Sequence, residues 1–123
     1  MIDFNSNSLI KLKPINTSGA SSVQPMLVQG EEILAAFQSI RDQVVFTNKR
    51  IISINVQGMT GKKVDYTSMP YSKVQVFSVE TSGTLDRDCE IELYFSSVGK
   101  VKFEITGSFD IVGFNKTISE YVL

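Results

Sequence analysis

Histidine and tryptophan are both absent from this 123-residue chain, and cysteine occurs once. The missing histidine removes the commonest general base and metal ligand, and with it every Ser-His or Cys-His nucleophile arrangement. One cysteine forms no intramolecular bridge, and without histidine it builds no zinc site. Nothing marks an oxidising compartment, so the expected location is the cytoplasm, the expected cofactor is none, and the expected class is non-enzymatic. No run reaches the roughly 18 apolar residues that a membrane-spanning helix requires. The opening Met1-Ile2-Asp3-Phe4-Asn5-Ser6 lacks the basic region and apolar core of a signal peptide. Neither charge sign is in excess: 12 Lys and Arg stand against 13 Asp and Glu. Such a balance creates no global field for nucleic acid, and no nucleic-acid partner is expected.

What is present fits a soluble globular protein, with 42% hydrophobic and 20% charged residues. The length suits one domain that buries about two-thirds of its unfolded surface. Residues 1–29 read as an N-terminal arm, poor in apolar residues, with a short helix over 23–28 capped by Ser21 or Ser22 and ended by Gly30. Residues 30–123 read as the folded domain. There, strand signals recur at roughly 31–40, 43–47, 50–57, 62–68, 73–82, 87–96 and 100–106, a spacing that argues for an antiparallel sandwich or partly closed barrel.

Asn48-Lys49 reads as a two-residue hairpin turn, with Asn48 taking the positive φ it requires. In that hairpin Val45, Ile52, Ile54 and Val56 are assigned to the core. Val44, Phe46 and Ile51 fall on the opposite face, which then needs a cover: the N-terminal segment of the same chain, or another subunit. From Leu85 to Phe95 odd positions point inward and even positions outward, and Val101, Phe103 and Ile105 repeat the rule. A loop of Ser97-Val98-Gly99 sets Phe95 beside Val101, Leu93 beside Phe103 and Tyr94 beside Lys102. Beyond Gly107, Ser108 is the expected cap of an amphipathic helix bearing Ile111, Phe114, Ile118, Tyr121 and Val122.

Three features carry potential chemistry. The outward row Asp86, Asp88, Glu90 and Glu92 places carboxylates about 7 Å apart along a strand, able to meet a hard cation, act as an acid/base pair, or serve as a solvated surface facing a partner. Cys89 lies on the inward face as a buried structural thiol. Gly58-Met59-Thr60-Gly61-Lys62-Lys63 is flanked by strands, and so reads as a hairpin rather than a phosphate-binding loop.

The order Gly30-Glu31-Glu32-Ile33, Arg41-Asp42, Val45-Phe46-Thr47-Asn48-Lys49-Arg50-Ile51, Gly58-Met59-Thr60-Gly61-Lys62-Lys63, Pro70-Tyr71-Ser72-Lys73, Phe77-Ser78-Val79-Glu80-Thr81-Ser82-Gly83 and Glu120-Tyr121-Val122-Leu123 resembles the bacterial pleckstrin-homology-like family of small single-domain proteins. The resemblance implies a mainly β fold, a seven-stranded antiparallel barrel or sandwich capped by a C-terminal α-helix. It also implies a non-catalytic binding or scaffolding module acting through protein–protein contacts. The expected partners are an unidentified protein and the chain itself, in a cyclic homo-oligomer of about five subunits, with Val44, Phe46 and Ile51 as the candidate interface. Phosphoinositide-binding relatives cluster Lys and Arg around a long first loop. Here that junction is only Ser39-Ile40-Arg41-Asp42-Gln43, so strong phosphoinositide binding is not expected. The tryptophan usual in the closing helix is missing, and Phe114 is expected to take its packing place. A peripheral lipid- or membrane-binding domain is the alternative reading.

Overall fold

The computed structural model describes residues 1–4 and 8–123; residues 5–7 of the expected arm lie outside the described residues. Among the described residues, eight strands and one α-helix follow in order: β1 Ser8–Ile15, β2 Ile33–Gln38, β3 Gln43–Thr47, β4 Arg50–Gln57, β5 Lys63–Pro70, β6 Val74–Thr81, β7 Arg87–Phe95, β8 Gly99–Ser108 and α1 Ile111–Val122. They form one curled sheet in the order β5-β4-β3-β2-β1-β8-β7-β6. All seven strands expected from the sequence are present.

The eighth, β1, corrects the reading of residues 1–29 as an arm. It joins the two halves of the sheet, pairing antiparallel with β2 and parallel with β8. The expected short helix is a 3-10 turn over Ser21–Met26, preceded by another over Thr17–Gly19.

The sheet is buried on both faces along β3 and β4. Val44, Phe46 and Ile51 enter the principal core with Phe37, Phe103 and Ile118, whereas Val45, Ile52 and Ile54 form a second core with Ala20 and Val23 of the 3-10 segment. The two faces are therefore exchanged relative to the expectation. A strand covered on both sides shows a continuous apolar run, and such a run does not say which face is which. Asn48 does not take a positive φ either; among non-glycine residues described, only Lys11, Asp88 and Ser97 do. The Thr47 hydroxyl holds the turn instead, accepting from the Lys49 and Arg50 amides, both at 3.0 Å.

In the β7–β8 hairpin the inward set Cys89, Ile91, Leu93 and Phe95 is as expected, but Leu85 and Arg87 are exposed. The register differs by two residues: Phe95 pairs with Gly99, Leu93 with Val101 and Tyr94 with Lys100. A shift of two leaves every side chain on its expected face. Gly99 is required here because a Cβ would lie 2.3 Å from the Phe4 carbonyl oxygen.

The helix begins at Ile111 with Asp110, not Ser108, as its cap: the Asp110 carboxylate accepts from the Gly113 amide at 3.0 Å. Phe114 fills the expected packing role, with its ring 4.9 Å from Phe46 and 5.7 Å from Phe37, edge to face. Tyr121 lies at the rim, stacked on Tyr71.

Candidate functional surfaces

Glu31, just before β2, is a heavily engaged ionisable group. Its side chain is fully buried and accepts from the Val28 amide at 3.0 Å, the Thr47 hydroxyl at 2.7 Å, and Arg50 Nε and Nη2 at 2.9 and 3.0 Å. Burial alone would raise its pKa, but the Arg50 and Thr47 bonds, the Val28 amide and the Arg50 charge together hold it down at about 2. Arg50 also donates to the Met26 carbonyl and the Ser68 hydroxyl. The Asn48 amide group clasps the Gly30 carbonyl and the Glu32 amide. Beneath them the Tyr71 hydroxyl donates to the Thr47 carbonyl at 2.7 Å, and burial keeps that phenol protonated. The Glu31, Thr47, Asn48, Arg50 and Tyr71 side chains are each committed to another part of the chain. It is a clasp that fixes the 3-10 segment over the second core. The side chains of Glu31, Thr47, Asn48 and Arg50 are therefore structural.

Val44, Phe46 and Ile51, the candidate interface, have no exposed surface. They cannot contact another subunit because the chain's own sheet and helix already cover them. The acidic row is also rearranged. Asp86 sits in the β6–β7 turn, and Asp88 occupies a bulge at φ 55°, accepting from the Gly107 amide at 2.7 Å. Glu90 lies 3.6 Å from Lys102, and Glu92 3.1 Å from Lys100. Cross-strand register then adds two carboxylates outside the row: Glu80 pairs opposite Glu90, and Glu90 opposite Glu104. Like charges directly opposed weaken a sheet, and Lys102 offsets part of that repulsion. Glu80 and Glu104 were not recognisable in the sequence, since only register brings them to Glu90. Among the described residues, no group of His, Cys, Asp and Glu side chains is disposed to hold a metal ion. Cys89 is buried in the core, where burial and the neighbouring Asp88 push its thiol up to about 11.

The outer strands β5 and β6 are the free edges of the sheet. Along β6, Val76 is 62% exposed. A shallow groove runs between β6 and the helix, lined by Val79, Leu85, Ile111, Val112 and Lys116. No helix among the described residues is long and apolar enough to cross a membrane.

The family model described as bacterial PH domain matches residues 3–122. A pleckstrin-homology-domain protein of the DUF1696 family from Shewanella loihica has a solved structure similar to this one, with a TM-score of 0.77 and 40% identity over 93% of this chain and 99% of that one. A pleckstrin homology domain from Shewanella amazonensis gives 0.63 and 41% over 89% and 90%. An Exiguobacterium sibiricum protein containing a PH domain, at 18% identity and 0.62, shares the fold. The uncharacterized Bacillus subtilis proteins YjqA and YozO are 46% and 33% identical to this chain over 71 and 72 residues, 58% of its length in each case. The matched segments span 57% and 62% of the length of those two relatives.

Proposed function

Because the chain belongs to the bacterial PH domain family, we propose that it is a non-catalytic binding module working through protein–protein contacts, assembled as a cyclic homo-oligomer of about five subunits. The observation that carries this reading is the open edge at β6. On the side away from β7, its backbone donors and acceptors have no strand beside them among the described residues, and the exposed Val76, Leu85 and Val112 lie on or next to it. An open edge with apolar side chains is a template for strand addition. Identical copies arranged head to tail cover such an edge on every subunit when the rotation closes. This surface replaces Val44, Phe46 and Ile51 as the proposed contact. The Asp86, Asp88, Glu90 and Glu92 region, with Glu80 and Glu104, is the proposed polar face toward a second protein.

Light scattering coupled to size exclusion tests the assembly. The expected result is an oligomer that Val76→Asp dissociates while circular dichroism still reports β structure, since desolvating an unpaired charge costs several kcal/mol. A wild-type protein that stays monomeric at high concentration refutes it.

A further inference from the structure

The inner face of β4 and β5 changes character along its length. Cross-strand pairs carry it from Ile51 and Met69, both buried and apolar, to Ser53 and Thr67, and then to Asn55 and Asp65. Alternation keeps all six side chains on the core side of the sheet. This end of the core is therefore lined by polar groups, and buried polar groups need partners. Most of them have one. The Thr67 hydroxyl accepts from the Ile2 amide at 2.9 Å and donates to Asp65 at 2.7 Å. Asp65 also takes the Met1 amino group at 2.7 Å, and the Asn55 amide nitrogen donates to Asp42 at 3.1 Å.

Ser53 is the exception. The residue is 1% exposed, and its hydroxyl bonds no other group among the described residues. Beside Ser53, β4 is paired with β3 on one side and with β5 on the other, so the neighbouring backbone groups are already engaged. Ser53 lines a cavity of about 40 Å³ together with Asn55, Asp65 and the buried Ile2 and Leu9. The unpartnered hydroxyl and the cavity thus occur at the same place, with two further polar side chains in its wall.

We infer that this cavity is a binding site for one water molecule, held by the Ser53 hydroxyl and by the Asn55 and Asp65 side chains. About three polar partners are what a buried water ordinarily has, and the cavity exceeds the roughly 10–15 Å³ that one water needs. A purely apolar cavity of this size would stay dry, whereas this one has polar groups on its wall. The volume of about 40 Å³ admits no larger organic molecule. A cation fits less well, because the Met1 amino group already meets the Asp65 charge. The water gives Ser53 its partner and joins β4 to β5 from the core side, a bridge nearly as favourable as a direct hydrogen bond. Because Ile2 and Leu9 are buried over this end of the core, the water leaves only when they move, and it stays far longer than surface water. The inference does not depend on the assembly proposed above.

Magnetic relaxation dispersion of the water signal, measured on the full chain, counts waters that stay bound longer than the protein takes to tumble. The wild type is expected to hold one more of them per chain than Ser53→Val, whose added methyl groups occupy the cavity. The second measurement is the midpoint of urea denaturation for Ser53→Ala. Removing a hydroxyl that bonds a water discards a hydrogen bond, so the midpoint should fall. Removing one that bonds nothing would relieve the core, and the midpoint would rise. Should Ser53→Val not fold, the Ser53→Ala midpoint decides alone. Equal dispersion in the wild type and folded Ser53→Val, or a Ser53→Ala midpoint at or above that of the wild type, would each overturn the inference.

Discussion

Replacing Glu31 with glutamine should change both the stability of this protein and the shape of its acid denaturation. The Glu31 carboxyl is held at about 2 against an ordinary value of 4.5. Its folded pKa is depressed, so the stabilisation is fully present above the unfolded value and is lost as pH falls through the folded one. That difference corresponds to about 3 kcal/mol at neutral pH, disappearing between roughly pH 5 and pH 2. Glu31→Gln removes this pH-dependent part. It also leaves the partly buried Arg50 guanidinium without its counter-ion, for a total loss of about 3–5 kcal/mol at pH 7. Urea denaturation from pH 7 to pH 2.5 measures both effects: the wild type should lose stability steeply in the acid range, and Glu31→Gln should lose distinctly less. Asp65, lowered by its bonds to the Met1 amino group and to Thr67, contributes in the same direction, so Asp65→Asn is the control that separates the two. If the Glu31→Gln profile parallels that of the wild type, the clasp is not what holds the carboxyl ionised.

Two further outcomes follow from burial. Phe114→Ala removes a ring packed against three other phenylalanines and should cost about 3–5 kcal/mol in chemical denaturation; a loss under about 1 kcal/mol would show that the helix does not depend on that ring. Cys89, buried and with its thiol raised to about 11, should resist a disulfide reagent at pH 8 until denaturant is added, and rapid native labelling would show that the strand pair opens there.

The sequence shows faces more readily than neighbours. In β7 and β8 the period-two pattern correctly assigns Cys89, Ile91, Leu93, Phe95, Val101, Phe103 and Ile105 to the interior, yet the register lies two residues from the expected one. Alternation is blind to a shift of two, and the turn bends at Ser97, where φ is 67°. The strand β1 escapes such a pattern for a different reason. Its buried residues Leu9 and Leu12 are three apart because a bulge at Lys11, with φ 57°, inserts an extra residue between them. A bulged strand gives neither a strand nor a helix period. The candidate surfaces were legible only in part. The acidic row was visible along one strand, whereas Glu80 and Glu104 come to it across strands. The Glu31–Arg50 pair joins residues 19 positions apart, and no local pattern encodes such a partner. Val44, Phe46 and Ile51 misled because a strand buried on both faces carries apolar residues at every position.

The parallel pairing of β1 with β8 has a consequence for how the chain reaches this state. Among the described strands β1 is made first, yet one of its two neighbours is made last. The bond from the Thr106 hydroxyl to the Leu12 carbonyl closes a loop of 94 positions. The meander β2 to β5 and the hairpins β6 to β8 each consist of local pairings that form early, while the junction between them must wait and then closes a long loop against its entropy. Until then Leu9 and Leu12 have no core on the β8 side, and the β1 edge lies open to another chain. Folding of this protein should therefore be limited by the joining of its two halves, and a nascent chain stalled before β8 is the species most exposed to mispairing.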